Sequence, residues 1–218
     1  MPATPSNENA CRERLRQGIG QLGLSMDAAQ ERLLLQFLRL LVKWNRAYNL
    51  TAVRDPLEMV ERHLLDSLAV LPHLYGRRCL DMGTGPGLPG IPLAVMRPDI
   101  AFVLLDSNGK KIRFVRQAVL ELGLANVEPV HARLESYRPA QGFDTLVARA
   151  FTALPDMLRL SEGLRAAHGV LLAMKGRLPV WELVGMEAGR DYTVIPMPLV
   201  SDDRERCLIR FPAATASS

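Results

Sequence analysis

Four charged side chains stand where short apolar runs of the sequence end: Asp81, Asp106, Arg149 and Lys175. Apolar runs of this length, bounded by turn residues, are typical of buried strands. In a parallel sheet all strands end at one edge, so these side chains are expected to share a rim. Carboxylates there bind cations or hydroxyl groups, and cations bind carboxylates or phosphates. The sequence therefore predicts a ligand site at this edge.

The first of these runs leads into a glycine-rich stretch, Asp81–Gly90, which reads Asp-Met-Gly-Thr-Gly-Pro-Gly-Leu-Pro-Gly. An apolar helical pattern follows it, so the stretch is a turn between a strand and a helix. Gly83, Gly85 and Gly87 have no Cβ, which allows a ligand to approach the backbone closely. A turn of this kind is typical of nucleotide sites. The alternative is a turn that only reverses the chain.

The charge of the turn predicts which nucleotide binds. Asp81 would repel a phosphate, and Pro86 and Pro89 lack the N–H groups that cradle one. No Lys or Arg lies between residues 81 and 96. A carboxylate suits a cationic ligand, and S-adenosylmethionine (AdoMet) carries an ammonium and a sulfonium but no phosphate. AdoMet is therefore favoured over a dinucleotide, although Gly85, Gly87 and Gly90 have dinucleotide-like spacing.

Further cofactor contacts are expected at the ends of the next two strands. Asp106 is placed to accept hydrogen bonds from the ribose hydroxyls, or alternatively to cap the following helix. Glu135 could read the adenine amino edge, with Leu134 and Leu88 packed on the ring faces. The alternative for Glu135 is a surface acid paired with a neighbouring arginine.

Arg149 ends the fourth predicted strand, next to the expected position of a transferring methyl group. A charge at the end of an apolar strand needs a partner, which is a carboxylate either of the protein or of the ligand. Lys175 ends the fifth strand on the same rim and is expected to face a nucleic acid backbone.

Composition limits the class of protein. The 218 residues carry a net charge of +4, which fits an anionic partner such as RNA. Three widely spaced cysteines indicate free thiols and a cytoplasmic location. The four scattered histidines argue against a metal site, and the longest apolar run is interrupted by polar residues, so we expect no membrane span.

The pattern of the chain predicts an α/β protein. We expect disorder over residues 1–10, an N-terminal helical extension over 11–75, an AdoMet-binding domain over 76–212 and a disordered tail over 213–218. The domain alternates strands with helices, which argues for a mostly parallel sheet, and it ends in an antiparallel pair of strands. Helices are expected to start near 25–27 and to cover 57–71, 110–122, 154–164 and 179–187, and strands to end at 81 and to cover 101–106, 127–132, 143–149, 169–174, 192–200 and 206–211.

Polar residues in the N-terminal half have two interpretations each. Arg12, Arg14 and Arg16 form either a solvated helix face or an RNA contact. The pairs Arg62-His63 and Asp66-Ser67 either pin two helices together or lie at the substrate mouth.

Several motifs occur in an order that resembles the glucose-inhibited division protein B family of bacterial methyltransferases. The motifs are Trp44-Asn45, Asn49-Leu50-Thr51, Arg62-His63, Asp66-Ser67, the glycine-rich turn, Leu105-Asp106-Ser107, Arg149-Ala150-Phe151 and Lys175-Gly176. The resemblance implies a class I AdoMet-dependent fold, Rossmann-like with seven strands, plus N-terminal helices. It implies methylation of N7 of a single guanine in the 16S ribosomal RNA of the small ribosomal subunit. It also implies cofactor contacts at Gly83, Leu88, Leu134, Glu135 and Arg149.

On this basis we assign Arg149 to catalysis and expect a monomer that requires no metal. The residues assigned to the RNA side are Asn45, Arg46, His63, Lys110, Lys111 and Lys175. Three alternatives stay open: a nicotinamide-dependent reductase, a methyltransferase for a small molecule or a protein, and a ribosome-binding module with an inactive pocket.

Overall fold

The computed structural model describes residues 5–149, 152–184, 191–197 and 205–212. Its strands form one seven-stranded sheet in the order β3-β2-β1-β4-β5-β7-β6. The strands are β1 Arg78–Met82, β2 Ala101–Asp106, β3 Val127–His131, β4 Phe143–Arg149, β5 Arg165–Lys175, β6 Thr193–Pro196 and β7 Cys207–Phe211. The α-helices are α1 Pro5–Gln21, α2 Ala28–Tyr48, α3 Pro56–Met59, α4 Asp66–Leu68, α5 Gly90–Met96, α6 Gly109–Leu122, α7 Leu154–Ser161 and α8 Val180–Val184.

The five strands β1 to β5 pair in parallel, and β7 pairs antiparallel with both β5 and β6. The predicted mostly parallel sheet with a terminal antiparallel pair is therefore confirmed. The strand order changes direction beside β1, between β2 and β4. This is the point in an open α/β sheet where a ligand binds outside the carboxyl ends of the strands.

Local sequence explains where the long helices begin. Asp27 accepts a hydrogen bond from the backbone of Gln30, whose side chain accepts one from the backbone N–H of Asp27, so the two residues form a capping box for α2. Asn108 caps α6 by accepting from the backbone of Lys110 and Lys111. Gly123 then ends α6 in the left-handed conformation at φ 65°.

The N-terminus differs from the sequence prediction. Disorder was expected over residues 1–10, but α1 begins at Pro5; residues 1–4 lie outside the described part of the chain. Tertiary contacts explain the helix, because Cys11 and Leu15 are buried and Arg14 pairs with Glu61. The basic residues of α1 are thus occupied by acids of the protein: Arg12 and Arg16 both lie against Glu31. Their interpretation as an RNA contact is not supported.

The predicted second helix contains a turn of π-helix. Residues 56–68 are helical throughout, but Val60–Leu65 has the wider π pattern between α3 and α4. Single π turns inside helices are frequent at functional sites. This one carries Arg62 and His63, which the sequence analysis placed either between two helices or at the substrate mouth.

The N-terminal helices and the sheet share one hydrophobic core. A single cluster of buried side chains contains Leu15, Phe37 and Leu64 from the helices together with Leu104 and Val147 from the strands. A second cluster covers the opposite face of the sheet, where α7 packs. The N-terminal extension therefore packs tightly enough to fix residues of its helices at the edge of the sheet. In the described ranges, no helix has both the length and the apolar character needed to cross a membrane.

Candidate functional site

The glycine-rich turn joins β1 to α5 at the carboxyl edge of the sheet. Gly83, Gly85 and Gly87 have φ values of 69°, 59° and 83°, a region that side chains with a Cβ rarely adopt. The turn is held to the next strand, because the backbone N–H of Thr84 donates to the carbonyl oxygen of Leu105 at 2.9 Å. The predicted strand, turn and helix are thus all present, with the turn at the switch point of the sheet.

The Asp81 carboxylate lies inside this turn and is fully buried. Its Oδ2 atom accepts hydrogen bonds from the Thr84 hydroxyl at 2.6 Å and from the Gly90 N–H at 2.8 Å. Its Oδ1 atom is buried with no hydrogen-bond partner among the described residues. Burial raises the pKa of Asp81 to about 7, against the opposing effect of these two hydrogen bonds. Asp81 therefore organises the turn and keeps one acceptor unused beneath it.

Asp106, at the end of β2, also binds the turn. Its Oδ2 atom accepts from the Gly85 N–H at 2.8 Å, and its Oδ1 atom accepts from the Asn108 N–H at 2.8 Å. Asn108, rather than Asp106, caps α6, so the helix-cap interpretation of Asp106 is wrong. Each carboxylate oxygen has a second lone pair, which leaves Asp106 able to accept from a hydroxyl group as well.

The other predicted cofactor residues lie along the same edge. Leu88 and Leu134 are both buried, Leu88 within the turn and Leu134 just after β3. The Glu135 side chain is exposed, and its backbone carbonyl oxygen accepts from Arg138 at 2.7 Å. The sequence alternative paired Glu135 with a neighbouring arginine, but this hydrogen bond uses its backbone rather than its carboxylate.

One cation near the turn was missed by the sequence analysis. Lys111 belongs to α6, yet its Nζ atom lies 4.0 Å from the point where a Cβ on Gly85 would be. Residues 81–96 contain no Lys or Arg, but Lys111 reaches the turn from a position distant in sequence. The turn does have a cation nearby, so the preference for a cationic ligand rests on Asp81 and on the two prolines.

Arg149 meets the helical extension at the end of β4. Its Nη1 atom donates to the carbonyl oxygen of Arg62 at 3.0 Å and lies 3.3 Å from Asp66 Oδ2. The other oxygen of Asp66 lies 3.5 Å from Nε of Arg206. Burial lowers the pKa of Arg149, and Asp66 opposes that shift. The sequence left two partners open for Arg149, a carboxylate of the protein or one of the ligand. In the structure Arg149 pairs with a carboxylate of the protein, that of Asp66.

His63 sits beside Arg149 and is almost fully buried. Its Nε2 atom lies 2.8 Å from the Thr51 hydroxyl, and its Nδ1 atom lies 2.9 Å from the carbonyl oxygen of Arg62. Burial, reinforced by the nearby Arg149 charge, lowers the pKa of His63 to about 4. The imidazole is therefore neutral at pH 7, and both ring nitrogens are engaged within the protein.

The predicted RNA contact at Asn45 is wrong. Asn45 is 2% exposed; its side-chain amide donates to the Val53 carbonyl oxygen at 3.0 Å and accepts from the Thr51 N–H at 2.8 Å. It fixes the loop after α2, and that loop supplies the Thr51 hydroxyl to His63. A buried amide with these partners is a structural residue that positions the site indirectly.

A cavity of about 220 Å³ opens next to Arg149. It is lined by Arg62, His63, Asp66, Arg149, Met174, Lys175, Gly176, Met197, Arg206 and Cys207. The motifs that carry the family resemblance end at Gly176, yet Met197, Arg206 and Cys207 form part of the wall. Burial raises the pKa of the Cys207 thiol, which argues against a thiolate nucleophile.

The remaining basic residues assigned to RNA differ in their surroundings. Lys175 lines the cavity, but its Nζ atom is already 2.9 Å from Glu182. Lys110 is exposed at the start of α6, and Lys111 is partly exposed beside the turn. Arg46 is exposed near the end of α2. These three residues are accessible to an anionic partner, and their RNA role stays a prediction.

Comparison with solved structures supports the same fold. A methyltransferase from Geobacter sulfurreducens superposes with a TM-score of 0.60 at 16% identity, covering 90% of this chain and 97% of that one. A SAM dependent methyltransferase from Aquifex aeolicus gives a TM-score of 0.55 at 18% identity, covering 68% of this chain and 90% of that one. At such low identity the likeness concerns the fold alone, and it confirms the predicted class I methyltransferase fold.

Sequence relatives are much closer. A protein of Shewanella amazonensis named ribosomal RNA small subunit methyltransferase G is 49% identical over 203 residues, which cover 93% of this chain and 98% of the relative. A protein of the same name from Stutzerimonas stutzeri is 57% identical over 173 residues, covering 78% of this chain and 80% of the relative. The model of the GidB family, described as rRNA small subunit methyltransferase G, matches residues 30–193. With its turn, its Arg149 cluster and these relatives, the chain belongs to the GidB family.

Proposed function

We propose that the protein transfers a methyl group from AdoMet to N7 of a guanine in the RNA of the small ribosomal subunit. One observation carries the proposal: the glycine-rich turn follows β1, the cavity lies at the end of β5, and β4, which ends at Arg149, lies between these two strands. A cofactor over the turn and a base in the cavity would thus meet beside Arg149. The family of the chain supports this reaction.

The residues present at the turn fit AdoMet. The unpaired Oδ1 atom of Asp81 supplies negative charge beneath a cationic ligand, and Asp106 keeps free lone pairs for ribose hydroxyls. Leu88 and Leu134 supply apolar surface for an adenine ring, and Glu135 lies beside Leu134. Gly83 has a φ of 69°, a backbone conformation that a residue with a Cβ rarely adopts.

The chemistry at N7 requires no general base. When bound, AdoMet supplies an electrophilic methyl group on a sulfonium sulfur. Guanine N7 already has a free lone pair, so a C–N bond forms while the S–C bond breaks, and no proton moves. His63 is neutral but fully hydrogen-bonded, and the Cys207 thiol is held protonated. Neither residue is needed, and the protein contributes by positioning N7 in line with the methyl group and sulfur.

Charge is the second contribution of the protein. The reaction moves a positive charge from sulfur to the purine ring, and preorganised dipoles and charges stabilise such a shift. Asp81 lies on the sulfonium side and Asp66 on the side of the cavity. We assign Arg149 the role of fixing Asp66 and the backbone of the π-helix at the junction of the two sites.

The residues that contact RNA are inferred from the basic side chains that are accessible to solvent. We assign Lys110, Lys111 and Arg46 to phosphate contacts, and we expect the target base to leave its stack in order to enter the cavity. We further propose that the protein acts as a cytoplasmic monomer without a metal.

The decisive experiment uses the purified protein, labelled AdoMet and small subunits isolated from cells that lack this enzyme. The expected result is one methyl group per subunit, mapped to N7 of one guanine. A label on another atom, or on protein, would overturn the proposed reaction. Thermal shift assays with AdoMet and with NAD run in parallel, because stabilisation by NAD alone would favour the reductase alternative.

A further inference from the structure

The cavity beside Arg149 contains a carboxylate that has no assigned contact with the target base in the proposed methyl transfer. Among the described residues that line it, Asp66 is the one acid, facing the cations Arg62, Arg149, Lys175 and Arg206. An arginine or lysine wall suits a phosphate or a carbonyl oxygen. A carboxylate on the same wall suits neither, so its presence points to a ligand that also has N–H donors.

The Asp66 carboxylate has acceptor capacity left. Its Oδ2 atom accepts one hydrogen bond from Arg149, and its Oδ1 atom makes an ion pair with Arg206 at 3.5 Å, beyond the length of a strong hydrogen bond. Two carboxylate oxygens offer about four lone pairs. Burial raises the pKa of Asp66, and the positive charges of Arg149 and Arg206 oppose that shift.

Guanine has the edge that matches this arrangement. Its Watson–Crick edge presents the O6 acceptor followed by the N1–H and N2–H donors, whereas adenine presents an amino donor followed by the N1 acceptor. An ionised carboxylate can accept from both guanine donors, and it meets the lone pair of adenine N1 unfavourably. The cavity volume of about 220 Å³ is sufficient for a purine, given that a benzene ring fits a cavity of about 150 Å³.

We infer that Asp66 is a specificity-determining residue, which reads the N1–H and N2–H groups of the target guanine while Arg149 or Arg206 meets O6. This inference rests on the proposed function. The geometry is consistent with the reaction, because N7 lies on the opposite side of O6 from N1 and is left free to face the cofactor. Methylation makes the purine cationic, which strengthens its N1–H as a donor, so the contact with Asp66 is stronger in the transition state than in the ground state.

The test measures kcat/KM on small subunits reconstituted with RNA that carries guanine, inosine or adenine at the target position. All three bases retain N7, but inosine lacks the N2 amine and adenine reverses the edge. For the wild-type protein we expect guanine to be preferred to inosine, and inosine to adenine. Asp66→Asn should reduce the preference for guanine over adenine at least about tenfold, because an amide can donate to adenine N1.

The ratio of kcat/KM for guanine to kcat/KM for adenine separates a loss of base recognition from a general loss of activity. If Asp66 only holds Arg149 in place, Asp66→Asn lowers both rates by the same factor and the ratio is unchanged, which would overturn the inference. Glu182→Gln is the matched control, because it neutralises another carboxylate at the same rim, the partner of Lys175, and should preserve the ratio. Asp66→Ser serves as a second variant should Asp66→Asn fail to fold, with the same reduced ratio expected.

The two proposals fail in different ways. A wild-type protein that does not methylate guanine N7 would refute the proposed function. A wild-type protein that methylates guanine and adenine equally well would refute the role of Asp66 and leave the methyltransferase activity intact.

Discussion

The guanidinium group of Arg149, at the end of β4, lies 3.3 Å from the carboxylate of Asp66, which begins α4. The pair joins the last residue of a central strand to the N-terminal helical extension. Arg206 contacts the other oxygen of the same carboxylate, so one acid is shared by two cations. All three residues line the cavity, and they connect the N-terminal helices, the sheet and the last strand at a single point.

Replacing Arg149 should damage catalysis more than stability. Arg149→Ala removes the cation between turn and cavity, and we expect kcat/KM to fall by about 100-fold or more. Arg206 remains beside Asp66, so the free energy of unfolding should fall by about 1–3 kcal/mol. Methyl transfer and chemical denaturation are measured on the same preparation. Arg159→Ala, in an exposed ion pair on α7, is the control, and a variant of Arg149 that simply unfolds would contradict the prediction.

A side chain on Gly83 should prevent AdoMet from binding. Gly83→Val places a branched side chain on the face of the turn at a φ of 69°, and calorimetry should show at least about a 100-fold loss of affinity. Backbone strain alone costs about 1–3 kcal/mol of stability. Gly123→Val isolates this cost, because Gly123 has a φ of 65° but lies at the end of α6, with open space around it. An unchanged affinity in Gly83→Val would refute the assignment of the pocket.

The affinity for AdoMet should depend on pH through Asp81. The pKa of this carboxyl is raised to about 7, mainly by burial, and the groups around it are Thr84, Gly90, Arg149 and Asp106. A cationic ligand favours the ionised form, so binding must release a proton below pH 7. Affinity should therefore fall by up to about tenfold per pH unit as the pH drops below 7, and weaken again above about 8, where an α-amino group loses its proton. Calorimetry between pH 5.5 and 8.5 measures the affinity for AdoMet. In Asp81→Asn the loss of affinity below pH 7 should disappear. A loss that persists in this variant would contradict the prediction.

Phosphate contacts predict a dependence on salt. If Lys110 and Lys111 both meet phosphates, Lys110→Gln/Lys111→Gln should reduce the slope of log affinity against log salt by about 1.4, since each contact to single-stranded RNA contributes about 0.7. Filter binding to small subunits between low and moderate salt measures the slope. Arg97→Gln is the control, because Arg97 precedes β2 at the opposite edge of the sheet and pairs with Asp99. A slope that is the same in all three proteins would exclude these two lysines.

Local patterns predicted the sheet well and the tertiary contacts poorly. The strands β2 and β4 have the predicted bounds, because an apolar run that ends in a charged residue defines its own end. The start of α1 at Pro5 was missed because residues 1–10 are polar, and the contacts that stabilise the helix come from residues distant in sequence. The π turn was missed because apolar periodicity in one sequence does not distinguish it from α-helix.

The same limit applied to the site. The turn and Arg149 were predicted from the residues at the strand ends, whereas the proximity of Lys111 to Gly85 exists only in the folded chain. Asn45 was assigned to RNA because polar residues in motifs suggest contact with a ligand, and burial reverses that interpretation. Arg206 has no recognisable motif around it, so only the pairing of β7 with β5 brings it to the cavity.

Because β7 is antiparallel to β5, the cavity is completed only by residues that are synthesised late. Because β7 runs against β5, its first residue, Cys207, pairs with Lys175, the last residue of β5. Arg206 and Cys207 thus reach the rim from the far end of the polypeptide. A nascent chain that has emerged from the ribosome only as far as β5 already contains the glycine-rich turn and Arg149. The residues that form one wall of the cavity have yet to be synthesised.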